Sequence, residues 1–175
     1  MFVDAEADPR NHTPRLGGER DVLLSQLQWL RQSLELKCQG LDPSDLARRA
    51  VPPSAMSLLG IVRHLAEVER RWFRRWMAGA NAEPHFYGPD NPEGDFDGAI
   101  ADPAVVEESF RVFREEAAFT DKYVTEAPNL DVVGHIDYEG PVSLREALVH
   151  CIQEHARHVG HADLFREVID GKIGI

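Results

Sequence analysis

The 175-residue chain reads as an all-α protein, a four-helix bundle with long connecting loops. Three observations predict this. The eleven prolines, at 9, 14, 43, 52, 53, 84, 89, 92, 103, 128 and 141, leave four long windows clear or sit at their edges. Each window carries apolar residues three or four apart, the period of one helical face. No segment alternates in the two-residue rhythm of a strand with comparable strength.

The first window, Glu19–Gln39, has Leu23, Leu27, Leu30, Leu34 and Cys38 on one stripe and Gly40 as its stop. The second, Ser57–Ala78, has Leu58, Ile61, Leu65, Val68, Trp72 and Trp76, with Ser54 or Ser57 as N-cap and Gly79 as terminator. Asp102 and Pro103 open the third, which continues through Val106, Phe110, Phe113, Ala117 and Val124. The fourth opens on Ser143-Leu-Arg-Glu146, the spelling of a capping box, and runs to Asp170 before Gly171. Its stripe is Leu144, Ala147, Leu148, Cys151, Ala162, Phe165 and Ile169. Residues 1–18 are expected to form a mobile tail and residues 19–171 a single domain. The connectors 40–56 and 79–101 are long, as functional loops often are, and 132–142 is short enough for a small hairpin around Glu139-Gly140.

Charge narrows the function. Thirty acidic residues against nineteen Lys and Arg leave a net charge of −11, which repels polyanions. Arg70, Arg71, Arg74 and Arg75 do interleave with Trp72, Phe73 and Trp76, a pattern that can bind nucleic acid or a membrane surface. Glu107, Glu108, Glu115 and Glu116 of the third window are available to pair with them, so neither partner is expected. Two cysteines, Cys38 and Cys151, exclude a disulfide framework and a four-cysteine zinc module, and both read as core thiols. With no long apolar run and no signal-peptide core, the expected setting is the cytoplasm.

Chemistry concentrates in the fourth window, where His150, His155, His158 and His161 crowd CIQEHARHVGHADLFRE. At ~100° per residue, His158 falls in the middle of the apolar stripe and Glu154 only ~40° away on the same inward face. His155 and His161 fall ~60° to either side, on the rim, and His150 at ~80° faces solvent. A carboxylate aimed into an apolar core must be neutralised, paired or bound to a cation. An i,i+4 Glu–His pair is a natural chelating arm, and His64 on the second helix can supply a third ligand. Gly60, one turn before His64, would leave space above such a cation. His64, Glu154 and His158 then make a His₂Glu site with an open position, the pattern of catalytic zinc. Each piece also has a plainer reading: histidines hydrogen-bonded in a core, Glu154 paired with Arg63 or Arg71, and Gly160 packed against a loop or subunit. His161, Glu67 and Arg71 are rim candidates for substrate binding or proton transfer, by angular position alone, against the plainer reading of a salt-bridged, solvated face. A di-iron centre is disfavoured, because it needs Glu-x-x-His on each of two helices.

The segments SLLGIVRHLAEVERRWFRRWMAG and EHARHVGHADLFREVIDG resemble the DinB-like superfamily, in particular the actinobacterial branch related to the metal-binding domain of mycothiol-dependent maleylpyruvate isomerase. The resemblance spans about residues 19–171 and implies a four-helix bundle with a central metal, held by His64 and by Glu154 and His158 in that branch's Glu-x₃-His pattern. It implies zinc, with nickel or iron as alternatives, a low-molecular-weight thiol such as mycothiol or bacillithiol as cosubstrate, and a homodimer. The isomerase's second domain has no counterpart here, so its particular reaction is not carried over. The expected function is a metal-dependent thiol S-transferase; the alternative is a non-catalytic bundle serving as a metal-stabilised binding module.

Overall fold

The computed structural model describes residues 3–12, 14 and 16–174. Four long helices form the bundle: α1 (Glu19–Cys38), α3 (Leu58–Glu69, prolonged by a π-helix over Arg70–Met77), α5 (Pro103–Glu126) and α6 (Leu144–Asp170). Two short helices, α2 (Pro43–Ala47) and α4 (Gly94–Asp97), lie in the long connectors. The hairpin is present as β1 (Val133–Ile136) and β2 (Gly140–Ser143), antiparallel, with Gly134 opposite Val142. Among the described residues, no helix is long and apolar enough to cross a membrane.

Local chemistry sets the helix starts. Ser57 Oγ accepts the Gly60 N–H at 3.1 Å, Asp102 the Ala104 N–H at 2.8 Å, and Ser143 Oγ the Glu146 N–H at 3.2 Å. Of the two serines that could cap α3, Ser57 does so. Packing then pairs α1 with α6 and α3 with α5, and α3 also meets α6 across the centre. Leu27 and Leu34, Leu58, Ile61 and Leu65, Val112 and Phe113, and Leu148 and Phe165 fill the space between them. Each fully buried side chain of this size contributes ~1.5–3 kcal/mol. Arg166 of α6 donates to the Lys37 and Gln39 carbonyls at 2.7 and 2.8 Å, so it caps the end of α1 from the neighbouring helix.

One part differs from the sequence expectation. The second window is not one α-helix: from Arg70 the backbone widens, and the Ala78 N–H returns to the Phe73 carbonyl, five residues back, at 2.9 Å. The wider turn buries Trp72, Phe73, Trp76 and Met77 together. Arg70 and Arg74 both reach Glu116 of α5, at 2.8 and 2.5 Å, and Arg75 reaches Asp137, at 2.5 Å. Within 1–18, the described residues include short 3₁₀ turns at Ala5–Ala7 and Pro9–His12. Arg10 is buried there, its guanidinium 5.1 Å from the Trp29 ring centroid and hydrogen-bonded to Ser33 Oγ at 3.3 Å. A cation that can stack on an indole anchors this segment to α1.

Candidate metal centre

His64 on α3 and Glu154 and His158 on α6 converge where those helices cross, with their ligand atoms all within 4.8 Å of one another. Glu154 Oε2 lies 3.9 Å from His64 Nε2 and 3.7 Å from His158 Nε2. Ligands ~2.1 Å from a tetrahedral zinc stand ~3.4 Å apart, so these atoms sit at slightly wider than coordinating separation. No guanidinium pairs with Glu154 among the described residues; its neighbours are three imidazoles, the third being His150, whose Nε2 is 3.7 Å from Oε1. A carboxylate ringed by imidazole nitrogens is a donor set suited to a divalent cation.

The environment also prepares the imidazoles. Asp95 Oδ2 lies 2.8 Å from His64 Nδ1, and a carboxylate can only accept, so Nδ1 donates to it and Nε2 is the nitrogen turned toward Glu154. Burial, reinforced by the neighbouring His64, pushes the His158 pKa down to about 3, so this ring is neutral at pH 7 with a lone pair to give. His161 stands behind it, Nδ1 to Nδ1 at 3.4 Å.

With the geometry in place, the comparisons decide the family. A sequence model of the mycothiol-S-transferase family matches residues 22–171. The chain belongs to that family. A solved structure, a conserved protein from Enterococcus faecalis, superposes with a TM-score of 0.62 at 15% identity, covering 90% of this chain and all of that one. At that identity the likeness shows the DinB-like helical fold alone. No curated protein matches the chain.

For a member of this family, the loop 79–101 proves as important as the helices. Asp95 comes from α4, and sequence periodicity could not find it, because GDFD has no helical stripe and lies between Gly and Pro punctuation. Two devices hold it in place. Arg63, one residue before His64, donates to the Asp95 and Gly94 carbonyls at 2.9 Å each. Phe96 stacks on His64, ring centroids 5.0 Å apart. This corrects the role of Gly60: a Cβ there would meet the Phe96 ring at 3.0 Å, so the missing side chain makes room for Phe96 rather than for space above a cation.

The rim residues divide. Glu67 is buried away from the donor cluster and accepts the His85 and Phe86 N–H groups at 2.6 Å each, so it anchors the loop; burial raises its pKa. Arg71 is outside the cluster too, its guanidinium 5.5 Å from the Trp76 ring centroid. His161 meets the site through His158. His155 is not on the rim: it is fully buried, with Nδ1 donating to the Cys151 carbonyl at 2.9 Å and Nε2 3.2 Å from Glu69. His150 is not purely solvent-facing, since its ring lies 4.3 Å from Trp72. Among the described residues, nothing lies within 4 Å of where a Gly160 Cβ would stand, so no described loop packs there. Cys151 is fully buried, and burial raises its pKa well above the usual thiol value, which keeps it an inert core residue.

Proposed function

We propose that this protein is a thiol S-transferase that binds a divalent cation, zinc first, through His64, Glu154 and His158, and uses mycothiol as its thiol. The observation that carries the reading is the three-donor cluster, with no competing guanidinium among the described residues, in a chain of the mycothiol-S-transferase family. Three protein ligands leave a position for a small molecule, which distinguishes a catalytic zinc site from a closed structural one.

The bound cation supplies Lewis acidity, lowering the pKa of a thiol from ~8.5 so that thiolate predominates at neutral pH. The protein's residues do the rest. Asp95 fixes the tautomer and ring plane of His64, and the buried setting keeps His158 unprotonated. Glu154 supplies an anionic oxygen ligand beside the two imidazole nitrogens. In the reaction the thiol S–H bond breaks and its proton passes to solvent. The sulfur lone pair forms a bond to an electrophilic carbon, and the leaving group departs with its bonding electrons. His161, whose Nδ1 lies 3.4 Å from His158 Nδ1, is placed to orient that ring or to carry a proton.

Elemental analysis of the purified protein and a conjugation assay with mycothiol and an alkylating electrophile test this. About one zinc per chain and activity abolished by chelator, then restored by zinc, are expected. Chelator-insensitive conjugation, or none with mycothiol, bacillithiol or glutathione, overturns it. His158→Ala separates a catalytic centre from a structural module: the former loses activity and keeps its fold, the latter loses thermal stability.

A further inference from the structure

Helix α6 turns its donor pair inward and carries an exposed stripe on its other side, made of Ala156, Arg157, Gly160, Leu164, Glu167 and Val168. We propose that this stripe binds a second copy of the chain. The two α6 helices pack antiparallel about a two-fold axis midway between Gly160 and Leu164. The surface lies outside the donor cluster, and the inference does not depend on the transferase reading.

Periodicity is the first argument. The six positions are spaced 1-3-4-3-1 and, at ~100° per residue, fall within ~120° of the helix surface. That spacing reads the same from either end, as a two-fold contact requires, because each residue must meet another of the same stripe. Leu164 and Val168 are 55% and 51% exposed, one turn apart, on a helix that already buries Ala147, Leu148, Cys151, Ala162 and Phe165 inside the bundle. Gly160, one turn before Leu164, has open space where a Cβ would stand among the described residues. A glycine inside a helix weakens it, and nothing described in the single chain uses the room it leaves.

Complementarity is the second argument. The antiparallel register sets Leu164 against Gly160 of the partner subunit, and Val168 against Ala156 of the partner subunit, each twice by symmetry. Large side chains thus enter the gaps left by small ones, which lets two helix backbones approach closely. The same register sets Arg157 against Glu167 of the partner subunit, cation to anion. Neither Arg157 nor Glu167 has an ion-pair partner among the described residues. A parallel arrangement would set each residue against its own copy, arginine on arginine, and leave the gap at Gly160 unfilled. Charge also selects this face: the chain's net charge of −11 repels a second copy, whereas the stripe holds one cation and one anion. From 156 to 168 the contact runs only ~18 Å along the helix. An interface of that size falls below about 1,200 Å² in total, the range of weak, exchanging complexes, so the dimer forms with rising concentration.

Sedimentation velocity of the full chain, over micromolar to near-millimolar concentrations, tests this. A reversible shift from monomer to dimer mass is expected. Leu164→Glu, at an exposed position, should abolish the dimer and leave the helical circular dichroism unchanged. Arg157→Glu and Glu167→Arg each set like charges together and should each raise the dimer Kd about tenfold. The two combined exchange the charges and should restore the original Kd, which a merely sticky surface would not do. A chain that stays monomeric at every concentration overturns the proposal and leaves the face to an unlike partner. A dimer that Leu164→Glu leaves intact overturns it as well, by placing the contact elsewhere. Single charge reversals without effect, or a double variant that stays weak, overturn the antiparallel register.

Discussion

Helices α3 and α6 meet twice through glutamate and histidine, with opposite results. At one meeting, Glu69 of α3 faces His155 of α6 at 3.2 Å, and Arg31 of α1 forks onto the same carboxylate at 2.8 and 2.5 Å. At the other, Glu154 of α6 faces His64 of α3 and His158, and no guanidinium among the described residues pairs with it. Glu154 and His155 are sequence neighbours that turn to different partners. The first cluster is closed: burial alone would raise the Glu69 carboxyl, yet the Arg31 guanidinium holds it at about 2. The second is half-buried and keeps a carboxylate among imidazoles, one of which, His158, is held neutral by its burial. An arginine from a third helix thus separates a structural tie from a site.

Breaking the closed cluster should have the largest effect. Arg31→Leu strands Glu69 in the core and should cost ~3–5 kcal/mol of stability by urea unfolding, with the metal affinity of the remaining folded protein nearly unchanged. Glu154→Ala or His158→Ala removes one of three ligands and should lower zinc affinity more than ~100-fold in a chelator competition. Neither should move the melting temperature of the metal-free protein downward by more than a few degrees. If these two sets of effects were exchanged, the comparison would fail. Asp95→Asn replaces the acceptor behind His64 with an amide and should lower zinc affinity ~10–100-fold while leaving the fold intact.

The smallest effect is graded with pH. The Glu69 pKa is lower in the folded protein than the ordinary 4.5, so the unfolded chain binds the proton more readily. The stability this carboxylate contributes is complete above pH 4.5 and drains away as pH falls toward about 2. Unfolding of metal-free protein at a series of acid pH values should show that slope, and Glu69→Gln should flatten it over the same window.

Much of the bundle was legible because helix formation depends on spacing and punctuation. Pro103, Ser143 and Gly171 mark ends where the structure has them, and the 3-4 stripes lie inward. His64, Glu154 and His158 could be chosen because two of them share a helix and the third lies on another apolar flank. The rim assignments fared differently, since an angle on a wheel does not say what stands opposite. His155 faces Glu69, Glu67 faces loop amides and Gly60 faces Phe96, all of them partners from other elements. The π-helix also escaped, because RRWFRRWM satisfies a 3.6-residue period well enough to pass for an ordinary turn.

Local chemistry along the chain therefore determined where the helices lie, which faces are apolar and which three side chains carry donor atoms inward. Those properties depend on residues within a turn or two of each other. Tertiary contact decided everything that needs a partner far away in sequence. It brought Asp95 from a loop to His64, gave Arg31 to Glu69 and not to Glu154, and laid the hairpin beside Trp76. A carboxylate becomes a ligand or a salt bridge according to the charge that reaches it, and in this fold that charge comes from another helix.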